Sequence, residues 1–567
     1  MRRILLLLIT TVVAAIALAG CAGRTQPQDL VTLSLVGFND VHGQLFADGD
    51  RRGLVSMSAY VEALRNLRRL DGGAVLLIDA GDIFQGTLES NIDEGAPMIA
   101  AYNELGVAAA AIGNHEFDFG PAGPDATPVQ MGQDPRGALK ARASEANFPL
   151  LAANLIDTAT NEPVDWENVR PSVMLDVAGF RVGVIGVTSM NSLQTTIAAN
   201  VGGLRLRPIV DTITDEATRL RGAGAQLIIV AAHAGATCTE FEDPYDTSAC
   251  RMNGEIMRVA QALPAGLVDH IVAGHVHQGI AHVVNGISIT SSFSSARAFS
   301  RTDFVLDRAS GSIIDRRVYA PQIPEAVLTP ASRYEGQSLL LHPGVAAVAD
   351  RAKAVAESLK QEKLGVTLAE PLDLRPDVES AISNLMTEAM LDSFDGDIAI
   401  HNVIGGIRNG LPAGELTFGA VYEMFPFDNV VTIHEISGAK LRAIIARKVS
   451  SHRKPGFAGM RIFASCNVHG MQIVMRRNDG SEIRDDDRLR IISNDFLALG
   501  GDDILTPAIP EDGLPIDQGL PQTRDALLAW LRSRPGELDA ASLRTHSKPK
   551  WNVPASIPDS CTFQAAN

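Results

Sequence analysis

The chain opens on a nearly unbroken apolar run, Ile4 to Ala19, and then settles into short apolar stretches separated by amphipathic or turn-rich segments. Seven of these stretches read as buried strands, namely Val31–Phe38, Ala74–Ile78, Val107–Ile112, Pro149–Ala153, Val182–Val187, Leu227–Ala232 and Val268–Ala273. Val55–Leu70 and Ile209–Gly222 lie between them and carry helical periodicity. Strands alternating with helices out to about Asp307 predict a layered α/β domain. The Pro- and Gly-rich tract Pro121–Gly137 reads as a surface insertion, with a lid over a site as the alternative. His342-Pro343-Gly344 then introduces a helix over Val345–Lys363, with Val345, Val348, Val355 and Leu359 on one face. A second unit follows from Val366 to Asn567.

At 567 residues, 46% hydrophobic and 20% charged, the chain can bury two or more cores. A net charge of -17 argues against a nucleic-acid polymer or an anionic lipid surface as partner. A small phosphorylated substrate stays open if metal ions supply the positive charge. Arg2 and Arg3 before the first apolar run mark a targeting segment. Its end, Leu18-Ala19-Gly20-Cys21, resembles a bacterial lipobox, with Cys21 as the acylated residue. That predicts export and attachment to a bacterial membrane through lipid, facing the periplasm or the cell exterior. An ordinary signal peptide or a short anchor is the alternative.

Four further cysteines remain, an even number that suggests two disulfides in an exported protein. Three pairings are possible. Co-location favours Cys238 with Cys250 and Cys466 with Cys561.

Polar chemistry gathers where the apolar runs stop. Asn39-Asp40-Val41-His42-Gly43 follows the first run, and Asp79-Ala80-Gly81-Asp82-Ile83-Phe84-Gln85-Gly86 follows the second. Gly113-Asn114-His115-Glu116-Phe117-Asp118, Ala232-His233-Ala234-Gly235 and Gly274-His275-Val276-His277 follow three later ones. The carboxyl edge of an open α/β sheet is where sites form. Imidazole and oxygen donors without thiolate suit zinc, manganese, iron or cobalt. Two such ions about 3.5–4 Å apart can clamp the attacking and leaving oxygens of an in-line displacement. One carboxylate must bridge them, and Asp82 on its Gly-flanked turn is the choice.

In this order the five motifs resemble the calcineurin-like metallophosphoesterases, and more narrowly the secreted 5′-nucleotidase / UDP-sugar hydrolase family. The resemblance implies a four-layer α/β/β/α metallophosphoesterase domain, a linker helix and a smaller α/β substrate-binding domain. Mapped here, these are residues 31–325, 326–365 and 366–567, after a signal segment at 1–21 and a polar leader at 22–30. It implies two divalent metal ions, one held by Asp40, His42, Asp82 and His277, the other by Asp82, Asn114, His233 and His275. His115 and Asp118 become a catalytic dyad, and Glu116 and Phe117 structural residues.

The second unit carries matching motifs, Gly405-Gly406-Ile407-Arg408, Pro426-Phe427-Asp428-Asn429 and Asn494-Asp495-Phe496 running on to Asp502. They imply that Phe427 and Phe496 stack the base, Asn429 bonds it, Asp502 holds the ribose hydroxyls and Arg408 meets phosphate or ribose. Arg375 lies near the family's phosphate-binding arginine. The family's Asn two residues before the GG is replaced by Val403, with Asn402 displaced by one. The implied activity is release of phosphate from extracytoplasmic nucleoside 5′-monophosphates. A cyclic-nucleotide phosphodiesterase or UDP-sugar/NAD pyrophosphatase is the alternative, and a related thiosulfohydrolase is disfavoured by the nucleoside motifs. A catalytically inactive nucleotide-binding or adhesive lipoprotein is the remote rival, and no protein partner is implied.

Overall fold

The computed structural model describes residues 30–123, 125–128, 130–374, 379–449, 451, 454–467, 470–510, 514, 520–539, 543, 549–554 and 561. Cys21 and Arg375 lie outside the described residues.

Two sheets stack face to face. In the seven-stranded sheet, Leu30–Phe38 pairs in parallel with Ala74–Asp79, with Leu33 opposite Ala74, and antiparallel with Ser300–Asp307. The six-stranded sheet holds Phe180–Thr188, Leu227–His233 and His270–Ala273 as parallel neighbours. Their facing sides interdigitate in one core, where Leu33, Leu35 and Ile78 meet Val184, Ile229 and Val272. Strands buried on both faces must read as continuous apolar runs, which is how these appear in the sequence. Helices Gly53–Asp71 and Ala96–Leu105 cover the outer face of the first sheet, and Ile209–Gly222 and Glu255–Ala262 that of the second. The layers are therefore α/β/β/α, as expected.

Two runs shrink. Val107–Ile112 supplies only Ala109–Ala111 as strand, and Pro149–Ala153 only Leu150–Leu151. Both are short inner strands, and the residues beside them still hold single backbone bonds to neighbouring strands, Ala108 N–H to Leu77 O at 2.9 Å and Ala152 N–H to Arg170 O at 2.9 Å.

The connecting helix runs Pro343–Lys360 rather than to Lys363, which already begins the strand Lys363–Leu368. Proline suits its first turn, and His342 accepts the Val345 N–H there. Its buried face also differs from expectation. Val345, Val348, Ala349, Ala352 and Ala356 are inside, whereas Val355 and Leu359 are 59% and 37% exposed. Alanines at the 3–4 spacing let this helix lie close against Ala96–Leu105, and that stripe outweighs the larger apolar pair.

The carboxyl-terminal part is built on a four-stranded sheet ordered Val431–Ser437, Arg488–Asn494, Ile398–His401, Gly456–Ala458. Separate cores fill its two faces. Both expected disulfides form, Cys238–Cys250 and Cys466–Cys561. The tract after Pro121 is irregular, and none of its described residues lines the cleft described next. Among the described residues no helix is long and apolar enough to cross a membrane.

Candidate metal centre and nucleotide cleft

The loops at the carboxyl edge of the strands are laced to one another by backbone bonds. Asp40 N–H donates to Gly81 O at 2.9 Å, and His42 N–H to Asp82 O at 3.0 Å. Glu116 ties in the third loop. Its buried carboxylate accepts the N–H groups of Gly113 (2.6 Å), Asp82 (2.9 Å) and Ile83 (2.6 Å). Burial, then the Asp82 charge, push Glu116 up to about 7. Gly113 has to be glycine, because a Cβ there would collide with Asp82 Oδ1.

Asp40, His42, Asp82, His275 and His277 all sit in the left-handed backbone region, with φ of 49, 50, 59, 76 and 58°. For non-glycine residues each such conformation costs on the order of 1–3 kcal/mol and persists only where the surroundings over-determine it. Strain of this kind concentrates at functional sites, and here it aims five side chains at one volume.

Two clusters result. Ligand atoms of Asp40, His42, Asp82 and His277 lie within 4.8 Å of one another, as do those of Asp82, His233 and His275. Asp82 belongs to both. His42 Nδ1 lies 2.8 Å from Gln85 O, and His233 Nδ1 2.9 Å from Ala80 O. Each backbone carbonyl needs a donor, so each imidazole presents its Nε2 lone pair inward. His42 Nε2 then faces His277 Nε2 at 3.0 Å, and His233 Nε2 faces Asn114 Oδ1 at 2.9 Å and Asp82 Oδ2 at 3.2 Å. Asn114 Oδ1 is also 3.0 Å from His275 Nδ1. Acceptors converging on acceptors repel unless a cation lies between them, so the donor sets fit two metal ions. With protons alone, burial would disfavour a charge on His233, but Asp82 and Asp40 outweigh it and hold His233 up at about 10.

Beside the clusters, His115 Nδ1 is 2.6 Å from Asp118 Oδ2, and Asp118 Oδ1 accepts from Thr196 Oγ1 at 2.9 Å. Burial opposes a charge on His115, but the Asp118 and Asp82 carboxylates prevail and raise its pKa. Its Nε2 points at Arg408 Nη2, 3.5 Å away across the two units. Arg408 also lies over the Phe427 ring, 5.0 Å from its centroid.

Phe427, Phe496, Asn429, Asp502 and Arg408 line one cleft of about 1180 Å³ together with Asp82, Asn114, His115, Asp118, His275 and His277. Gly501 lets Phe496 lie against the backbone, since a Cβ there would meet the ring. Asn429 already donates to Asp495 Oδ1 at 3.0 Å, and Asp502 Oδ2 accepts from Asn402 Nδ2 at 2.7 Å.

Four contributors escaped the sequence reading. Gln85 and Asn91 donate to Pro426 O across the units, Asn191 Oδ1 is 3.1 Å from His275 Nε2, and Thr196 anchors Asp118. Gln85 stands inside a quoted motif and could have been singled out. The others carry no local signal.

Residues 33–279 match the calcineurin-like phosphoesterase family, and residues 363–508 match the 5′-nucleotidase, C-terminal domain. The chain is similar to the protein named endonuclease YhcR of Bacillus subtilis, 25% identical over 487 residues that cover 84% of this chain and 38% of that one. The chain thus spans well under half of that relative's length. A protein named 5′-nucleotidase from Vibrio cholerae is 24% identical over 530 residues, 86% of this chain and 89% of its own. Among solved structures, a 5′-nucleotidase precursor from Thermus thermophilus superposes with a TM-score of 0.70 at 22% identity, covering 93% of this chain and all of that one. At that identity the likeness establishes the shared fold.

Proposed function

The chain belongs to the 5′-nucleotidase family, a calcineurin-like phosphoesterase domain joined to a 5′-nucleotidase carboxyl-terminal domain, and we propose on that footing that it releases phosphate from nucleoside 5′-monophosphates. It is a metal-dependent phosphoester hydrolase of a family that uses two divalent metals. The observation that carries the substrate is the shared cleft, in which metal-ligating side chains and two phenylalanines with a carboxylate beyond them face the same space.

Asp40, His42, Asp82 and His277 would hold one ion, and Asp82, Asn114, His233 and His275 the other. When bound, the pair supplies Lewis acidity toward the phosphoryl oxygens and lowers the pKa of water. The remaining work falls to side chains of this chain. Phe427 and Phe496 sandwich the base, as stacking accepts any base face. Arg408 meets the phosphate. Asp118 takes the Nδ1–H of His115 and favours the doubly protonated ring, whose Nε2–H is then free to stabilise charge on the transferring group or the leaving 5′-oxygen. The cleft takes these groups partly out of water, which strengthens their interactions.

The two halves of the site come from residues before and after the Pro343–Lys360 helix, and the family resemblance adds their parting and closing about the joint at 326–365. The division into 31–325 and 366–567 follows from that reading. Export and lipidation at Cys21 complete it, supported by the n-region and the lipobox-like end and consistent with two formed disulfides.

The deciding experiment uses a soluble form starting near Asp29, with manganese or zinc, a chelator control and His115→Ala. Phosphate release from AMP or UMP, lost on chelation and greatly reduced in the variant, supports the reading. A cleft of about 1180 Å³ also leaves space for a substrate bulkier than a mononucleotide, or one that presents its phosphate from another ribose oxygen. Turnover only of UDP-glucose, NAD or 2′,3′-cyclic AMP, scored with a coupling phosphatase, would therefore move the protein to the diesterase or pyrophosphatase reading. Silence on the whole panel with two metal equivalents bound would sink the nucleotide assignment.

A further inference from the structure

Asp502 and Asp503 follow one another in the left-handed region, with φ of 52 and 53°. Non-glycine residues stay there only when held. Lys448 Nζ donates to the Asp502 carbonyl at 3.0 Å, which fixes the backbone. The carboxylate is fixed separately, by Asn402 Nδ2 donating to Asp502 Oδ2 at 2.7 Å. Asn402 is buried at the end of the strand Ile398–His401, pressed beneath Gly406, where any Cβ would collide with its Oδ1.

That arrangement has an odd cost. The Asn402 Oδ1 is buried with no hydrogen-bond partner. A buried amide oxygen left unpaired is destabilising, so the position is a poor one for stability alone. Turning the amide over would not relieve it, because its oxygen would then oppose the Asp502 carboxylate. Asn402, Gly405, Gly406, Lys448 and Asp502 all line the nucleotide cleft.

We infer that Asn402 is a positioning residue which aims the Asp502 carboxylate at the sugar, and so makes this chain selective for nucleotides with free ribose hydroxyls. This rests on the nucleotidase reading above. Asn402 Nδ2 holds one oxygen of that carboxylate, and a bond at one oxygen sets the plane in which the group meets a ligand. Hydroxyls of a vicinal diol are the donors that such a carboxylate recognises, and a dideoxy sugar offers none.

The test compares AMP with 2′,3′-dideoxy-AMP for the wild-type protein and Asn402→Ala. The wild type should show a KM about tenfold or more higher for the dideoxy nucleotide, the range of a hydrogen bond to a charged group. Asn402→Ala should raise the KM for AMP by a similar factor with kcat nearly unchanged, and its effect should largely vanish with the dideoxy substrate. Asn402→Asp, which sets two carboxylates against each other, should be worse than alanine on AMP. An equal penalty on both substrates, or an unchanged KM for AMP, overturns the proposal. Melting temperatures check folding, and Asn402→Ser, which keeps a donor, replaces alanine if that variant does not fold. Absence of any wild-type turnover would count against the nucleotidase reading itself. Calorimetric binding of adenosine against 2′,3′-dideoxyadenosine to both proteins then decides the role of Asn402 by the same ratios.

Discussion

Asp118 Oδ2 stands 2.6 Å from His115 Nδ1, and the same carboxylate is anchored on its other oxygen by Thr196. The pair fixes both the orientation and the charge of the imidazole. Asp118→Asn keeps an acceptor but removes the negative charge that opposes the effect of burial on His115. His115 would then lose its proton at a lower pH. If protonated His115 is the working form, the alkaline limb of the rate profile moves to lower pH, and kcat for AMP falls by roughly a hundredfold. Rate profiles of wild type and variant, measured at saturating metal, check both.

Glu116→Gln leaves the shape of the side chain but turns one of its oxygens into a donor facing N–H groups. Loss of charge-assisted bonds and a donor clash should cost about 3 kcal/mol. A drop of several degrees in Tm and weaker metal retention during dialysis are expected. Unchanged values for both would show that the carboxylate does not organise the loops.

His270 lies in the stacked sheets between Ser288 and Thr290, and burial, assisted by Arg316, pushes it down to about 3. An unfolded chain takes up a proton on this residue below about pH 6.5, whereas the folded one does not until about 3. Its contribution is therefore full above pH 6.5 and is lost as pH falls through that window, at up to about 1.4 kcal/mol per unit. Urea midpoints measured from pH 7 to pH 4.5 should fall less steeply in His270→Gln than in the wild type.

Cys466–Cys561 closes a span of 95 residues. Its removal in Cys561→Ser should lower stability by about 2–5 kcal/mol, read as a reduced Tm, while Cys238–Cys250 remains closed.

The metal centre was legible because its geometry is local. His233 ends its strand, and Asp40, His42, Asp82, Asn114, His275 and His277 lie within the few residues after a strand end, so the end of an apolar run already places them. The cleft residues Phe427 and Phe496 were legible only through family motifs, since an isolated phenylalanine has no signal that separates stacking from core packing. What escaped was tertiary. The bond from Asn402 to Asp502 joins positions 100 residues apart. The buried face of the linking helix turned on which neighbour could approach an alanine stripe, not on which residues were most apolar. The strands at Ala109 and Leu150 are shorter than their apolar runs, although Ala108, Ile112 and Ala152 keep a bond to a neighbouring strand, and an apolar run carries no mark of where regular pairing stops.

Gln85 and Asn91 reach across to a main-chain carbonyl, that of Pro426. A backbone acceptor is supplied by any residue, so this part of the latch is blind to side-chain identity. The recognition surface around it can drift in evolution without undoing the joint, and a half with different base or sugar contacts could be exchanged onto the same ion-holding half. A modular scaffold of that kind widens its repertoire by replacing what it reads while keeping what it cuts with.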